Sequence, residues 1–409
     1  MWARPANFGC MLTSGFTSIY NSLCMKARII ALYLPQFHPI PENDEWWGKG
    51  FTEWINVAKA RPMFRGHLQP RIPSDLGFYD LRLPEVREQQ AELAREAGIE
   101  GFCYYHYWFG NGRQLLERPF NEVLESGKPD FPFCLCWANH TWSNKTWQRK
   151  SSAQRETLLM EQTYPGHDDD VAHFLNVLPA FRDKRYMTID GRPIFVIYEP
   201  FNIPHIKEFL QTWRDLAAEH GLPGIYFIGM TPSTLTFYVD EHFQRHRCMP
   251  DLKSSATIYQ RILDMGFDAV NSYGKRRGEM LYEGKYWSII KRKLRLMGIP
   301  VGSKNFDYSR TVRHYFAPED AWENVFPTII PQWDRTPRMP GADGVYTGVT
   351  PEKFEKHIRQ AISMIENKQD EHKVIFLKSW NEWGEGNYVE PDQHFGHGLL
   401  DAIRNSLKS

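Results

Sequence analysis

"RIIALYLPQFH", residues 28–38, runs through an apolar stretch and then breaks into proline, glutamine and histidine. The same rhythm returns seven more times. "IEGFCYYHYW" (99–108), "FPFCLCWANH" (131–140), "PIFVIYEP" (193–200) and "GIYFIGM" (224–230) repeat it, followed by "FDAVNSY" (267–273), "VFPTIIPQWD" (325–334) and "KVIFLKSWNE" (373–382). Near-continuous apolar strands are what a parallel sheet covered on both faces requires. Between the runs lie helical patterns. In "LPEVREQQAELAREAG" (83–98), Pro84 opens the helix, Val86, Leu93 and Ala97 share a face, and Gly98 stops it. In "IKEFLQTWRDLAAEHG" (206–221), Ile206, Phe209, Leu210, Trp213 and Leu216 form the stripe. In "TPEKFEKHIRQAISMI" (350–365), Thr350 caps, Pro351 takes the first position, and Phe354, Ile358, Ala361, Ile362 and Ile365 face inward.

Eight strand–helix alternations favour a closed (β/α)8 barrel over an open doubly wound sheet. Neither GxGxxG nor GxxxxGK[ST] follows a strand, so the phosphate-cradling loops of open sheets are missing. The sequence predicts one barrel domain over 27–402, a disordered extension over 1–26 and a short tail over 403–409. Met25 opens "MKARIIALYLPQFHP", which places the expected start of the native chain there.

The chain has 409 residues, 42% of them apolar and 24% charged, enough to bury a large core. Forty-nine basic residues balance forty-nine acidic ones, which argues against nucleic acid as a partner. The six cysteines form no CxxC pair; Cys134 and Cys136 alternate on one strand face and read as buried thiols of a reducing compartment. No apolar run reaches the length of a membrane span, and the N-terminus has no continuous apolar signal region. A cytoplasmic protein is expected, peripheral to the inner membrane face if its basic segment binds there.

In a parallel barrel the C-terminal strand ends share one rim, where barrel enzymes place their active sites. Here those ends carry Tyr33, Gln36 and His38; Tyr105, His106, Tyr107 and Trp108; Trp137, Asn139, His140 and Trp142; Tyr198 and Glu199; Trp333, Asp334 and Arg335; and Trp380, Asn381 and Glu382. Wet loops account for Asn and Asp at strand ends, but poorly for so many tryptophans.

After the eighth run comes "SWNEWGEG" (379–386), with Glu382 and Glu385 three positions apart. On a continuing strand they would point to opposite faces. A turn at Gly384 and Gly386, or one helical turn, would bring both to one cavity. Close carboxyls repel as anions, so one keeps its proton to higher pH and an acid stands beside a base. That is the equipment of glycosidic bond cleavage. Trp380 and Trp383 are expected to offer apolar faces to a sugar ring.

"SWNEWGEG" followed by "YVEPD" resembles the terminal catalytic motif of glycoside hydrolase family 99, endo-acting α-mannosidases and α-mannanases on a (β/α)8 barrel. "YLPQFHPIPENDEWWGKGFTEW" (33–54), "GFCYYHYWF" (101–109) and "WANHTW" (137–142) look still more like the WbsX-type relatives, labelled as glycosyltransferases of lipopolysaccharide and O-antigen assembly. The resemblance spans roughly 27–400. It implies metal-free retention of configuration with no cofactor, through attack of the sugar's own O2 on C1. It gives Glu382 the base that draws the 2-OH proton and Glu385 the acid for the leaving group. Gly384 departs from the hydrolase pattern, which carries His there.

On this reading Tyr33, His38, Trp46, Trp54, Tyr105, His106, Trp108, Trp137, Asn139, Trp333, Asp334, Trp380 and Asn381 are expected to bind substrate. His38, His106 and His140 follow the first three strands, but no His-x-His pair supports a metal, and none is expected. Glu53 is expected to bind a hydroxyl or pair with Lys49. Arg335 and Arg338 contact substrate, or Arg338 anchors its own loop. The segment 275–296 has eight basic and two acidic residues and reads either as a solvated helix face or as a contact for a lipid-linked diphosphate or an anionic membrane. The expected function is retaining cleavage or transfer at an α-linked, mannose-like residue of an oligosaccharide or lipid-linked glycan, in cell-surface polysaccharide metabolism. The alternatives are a strict endo-α-glycosidase of glycan degradation and a catalytically silent glycan-binding barrel.

Overall fold

The computed structural model describes residues 27–144, 157–231, 254–284, 305–340 and 344–408, with a few isolated positions between them. The extension 1–26 and most of the basic segment beyond residue 284 lie outside the described residues.

Eight parallel strands make the central sheet: β1 (Arg28–Tyr33), β2 (Gly101–Trp108), β3 (Phe133–Trp137), β4 (Arg192–Ile197), β5 (Tyr226–Met230), β6 (Ala269–Ser272), β7 (Val325–Ile329) and β8 (Val374–Leu377). Each pairs with the next in parallel register. β1 pairs on both sides, with Ile30 beside Gly101 and Arg28 beside Val374, and this closes the ring. A closed ring leaves no strand edge to protect, so apolar side chains fill both faces of nearly every strand.

The helices around it are α1 (Pro84–Ala97), α2 (Arg118–Ser126), α3 (His167–Phe181), α4 (Ile206–Glu219), α5 (Ala256–Asp264), α6 (Lys275–Glu283), α7 (Pro351–Ile365) and α8 (Gly398–Lys408). α7 follows its sequence signals closely: Thr350 accepts from the Lys353 amide, Pro351 opens the helix, and Phe354, Ile358, Ala361 and Ile365 are buried. α4 buries Phe209, Leu210 and Trp213 as expected, with Ala217 beside them. α1 is rotated from the expected face. Its alanines 91, 94 and 97 are fully buried, and Val86 and Leu93 sit at the edges of the contact. Small side chains let the helix approach the barrel closely, which the apolar stripe alone did not convey.

Residues 403–408, expected as a tail, are the last turns of α8. Ile403 is fully buried, and Leu407 packs over Gly98, where an added Cβ would stand 2.7 Å from its Cδ1. Cys103, Cys134 and Cys136 are free, buried thiols. At the N-terminal end of the barrel, Arg28 pairs with Glu100 at 2.7 Å and donates to the carbonyls of Thr188 and Glu371, tying four strand entrances together. Among the described residues no helix is long and apolar enough to cross a membrane.

Candidate active site

The C-terminal strand ends enclose a cavity of about 330 Å³, within the range of small-molecule sites. Its floor is built by the segment after β8. The Trp380 amide donates to Leu32 O, and Asn381 clamps Leu34 through both of its backbone groups at 2.8 and 3.0 Å. Asn381–Glu382 then pairs antiparallel with Asn387–Tyr388, and a single 3-10 turn, Trp383–Glu385, closes the hairpin. The turn ends at Gly386 with φ +53, and a Cβ there would stand 2.8 Å from the Cβ of Asp334. Glu385 O also accepts from the Asp334 amide at 2.7 Å. This turn carries both glutamates to the cavity wall.

One guanidinium organises them. Arg338 Nη1 lies 3.2 Å from Glu382 Oε1 and 2.8 Å from Glu385 Oε1, while its Nε and Nη2 bind Glu53 at 3.0–3.2 Å. Burial works against the charge on Arg338, but the three glutamates outweigh it and hold the proton on. Glu53 therefore has Arg338 as its partner, across 285 residues of chain, rather than the Lys49 suggested by proximity in sequence. The same pair explains Gly384. A Cβ at that position would stand 1.9 Å from Glu53 Oε1 and 3.0 Å from Arg338 Nε, so the carboxylate occupies the space a side chain would need.

The two carboxyls are not equivalent. Glu385 has a second arginine, Arg335, at 3.1 Å, whereas Glu382 Oε2 is buried without a hydrogen bond among the described residues and Lys378 Nζ stands 3.9 Å from it. Burial and the neighbouring Glu385 raise the Glu382 carboxyl, and Lys378 and Arg338 only partly offset them. Burial also pushes Glu385 up, but Arg338, Arg335, Lys378 and Lys275 outweigh it and bring it down to about 2. As the pH falls, Glu382 therefore takes up its proton before Glu385 does. That is the reverse of the order implied by the resemblance to the family 99 hydrolases.

Lys378 is caged. Its ammonium donates to Tyr105 Oη at 3.2 Å and faces the rings of Tyr105, Tyr198 and Tyr273 at 5.4–5.8 Å. Burial would neutralise it, but Tyr198 and the two glutamates keep it protonated. On the far wall burial raises the Glu199 carboxyl to about 7. His140 also lines the cavity, pushed down to about 4 by burial and Lys378, against a smaller upward pull from Glu385. Among the described residues no group of three His, Cys, Asp or Glu is arranged to hold a metal.

Of the expected residues, Glu382, Glu385, Tyr105, Trp333, Arg335 and Arg338 line the cavity. Several others are turned away from it. Trp380 and Trp383 are fully buried: Trp383 stacks on Tyr388 at 3.6 Å and donates to Glu390, and Trp380 packs on Phe102. They support the turn from behind and have no face open to a sugar. Trp54 packs against Trp383 and donates to Tyr79 O, and Tyr33 donates to Gln90. On β2 the strand period decides: Tyr105 and Tyr107 point inward, while His106 meets His173 at 2.9 Å and Trp108 stacks on it from the helix side. Trp137 packs on Phe209, Asn139 holds the backbone of Glu199, and Asp334 is locked by His67 and Gln69. His38 is buried outside the cavity, and Trp46 reaches it only by packing edge-on against Trp142.

Lys378, Tyr273 and Lys275 line the cavity without having been singled out as substrate contacts. Lys378 was hidden inside an apolar run. A lysine two residues before a strand-end tryptophan is the signal that it faces something other than the core.

Residues 29–403 match the family described as "Glycosyltransferase WbsX". The chain is 34% identical over 384 residues to the "Uncharacterized protein WxcX" of Xanthomonas campestris pv. campestris strain B100, covering 94% of this chain and 50% of that protein. The WxcX of a second strain matches to the same degree over 390 residues, so the chain spans about half the length of these relatives. Among solved structures, a "Glycoside hydrolase-like protein" superposes over 94% of both chains with a TM-score of 0.57 at 15% identity, a likeness of fold. A GH99 endo-alpha-mannosidase from Bacteroides thetaiotaomicron covers 93% of this chain and 95% of its own, more loosely, with a TM-score of 0.49 at 13% identity.

Proposed function

The chain belongs to the WbsX glycosyltransferase family, a family of carbohydrate-active enzymes, and from that premise we propose that its cavity cleaves or transfers an α-linked, mannose-like residue with retention of configuration. The observation that carries this reading is the single Arg338 nitrogen shared by Glu382 and Glu385. Bonds of 3.2 and 2.8 Å to one atom keep those two oxygens within about 6 Å, nearer the ~5–5.5 Å of retaining enzymes than the ~6.5–9.5 Å of inverting ones.

The anionic carboxylate draws a proton from the attacking hydroxyl, and the protonated one supplies the leaving oxygen. Trp333, Trp142 and the tyrosines 105, 107, 198 and 273 form the apolar part of the wall, suited to the C–H face of a sugar. The glycan acted on would be an oligosaccharide or lipid-linked intermediate of a cell-surface polysaccharide. Proton NMR of the first-formed product from α-mannosyl oligosaccharides, with water or a sugar hydroxyl as acceptor, tests the reading. Retention at the anomeric centre is expected. Inversion would overturn it.

A further inference from the structure

The turn that carries Glu382 and Glu385 hangs from a carboxylate behind it. Glu390 is buried two residues past the returning strand of the hairpin. Its Oε2 accepts from Trp383 Nε1 at 2.6 Å and from Tyr79 Oη at 2.9 Å. Tyr79 Oη in turn accepts from Asn381 Nδ2 at 3.3 Å. One oxygen atom thus holds the residue after Glu382 directly and the residue before it through a single tyrosine. The other oxygen accepts from Gln90 Nε2 on α1 at 2.6 Å, and Gln90 Oε1 accepts from Tyr33 Oη at the end of β1, also at 2.6 Å. The carboxylate therefore ties the position of Glu382 to a helix and a strand of the barrel.

Filling the core does not account for this residue. Burying a carboxylate is costly, and an apolar side chain of similar volume would pack at least as well. Among the described residues no lysine or arginine pairs with Glu390, and what offsets the cost is its three donors. Burial pushes its carboxyl up to about 7, with those donors pulling the other way. An indole nitrogen donates and cannot accept, so Trp383 Nε1 needs an acceptor at this place. The Trp383 ring is stacked on Tyr388 at 3.6 Å and packed by Trp54 at 5.4 Å, and the bond to Glu390 fixes its remaining edge.

Resting on the part in the chemistry proposed above for Glu382, we infer that Glu390 is a positioning residue for the reaction, setting through Trp383 and Tyr79 where Glu382 stands against the substrate. Placement of this kind matters to rate, since a displacement of about 1 Å at a reacting group costs on the order of 10²-fold.

The experiment measures kcat and KM for an α-mannosyl oligosaccharide, per folded enzyme, in Glu390→Met, Glu390→Gln and Trp383→Phe. Glu390→Met is expected to lower kcat by about 10–100-fold while KM changes much less. Glu390→Gln, able to turn its amide oxygen towards Trp383 and Tyr79, should keep more of the turnover. Trp383→Phe keeps an aromatic ring on Tyr388 and loses the N–H, and should lower kcat by about tenfold, as a hydrogen bond to a charged group warrants. Combined with Glu390→Met it should cost little more than Glu390→Met alone, because both act through one contact. Should Glu390→Met not fold, Trp383→Phe decides by itself. Full turnover in the folded variants, or losses that multiply in the double variant, would overturn the inference. Normal turnover in Glu382→Gln would instead overturn the reading on which it rests, so the two failures are told apart.

Discussion

Glu382→Gln is expected to lower turnover of a natural glycan by about 10²–10⁴-fold while sparing an aryl glycoside with an activated leaving group. An activated phenolate departs without a proton, so the variant lacks only what that substrate does not need. Glu385→Gln should lose both activities, because the base is required whatever leaves. The expectation follows from the charges: two arginines hold Glu385, whereas Glu382 is buried with one oxygen unbonded. The opposite pattern, with the aryl glycoside spared in Glu385→Gln, would restore the roles implied by the family 99 resemblance. Unchanged turnover in both variants would remove the pair from the chemistry.

Arg338→Met is expected to destabilise the fold by about 3–5 kcal/mol, the usual cost of stripping one partner from a buried ion pair. Glu53 is fully buried and gives its carboxylate to this guanidinium through three contacts, so it would be left as a buried charge without that counterion. Glu382 and Glu385 would lose the same partner, and two anions would face each other across the turn. Chemical denaturation measures the loss. Adding Glu53→Gln to Arg338→Met should recover part of it, because these residues are coupled. A loss below about 1 kcal/mol would mean that water, not Arg338, solvates Glu53.

The barrel was legible because eight apolar runs, with amphipathic helical stretches between them, repeat a pattern that admits few other folds. The turn carrying Glu382 and Glu385 was legible too, since Gly384 and Gly386 flank the second glutamate. Other features depend on packing that sequence does not display. Trp380 and Trp383 look like sugar platforms in a motif, but the hairpin turns them onto Phe102 and Tyr388. His106 and Tyr105 are adjacent at a strand end, and only the strand's parity decides which one faces the cavity. The Glu53–Arg338 pair joins the first loop to the seventh, and the need for glycine at 384 arises from that contact alone. Lys275 belongs to a stretch whose charge suggested an outer surface, yet its own head points inward.

The central claim is that two neighbouring glutamates sharing one guanidinium hold a proton unequally. Carbon-13 NMR titration of their side-chain carboxyls in the free enzyme addresses it directly. Glu385 should stay ionised to the lowest pH at which the fold persists, while Glu382 keeps its proton above the ordinary value of about 4.3. Two carboxyls titrating together near that value, or Glu385 taking its proton first, would contradict the account.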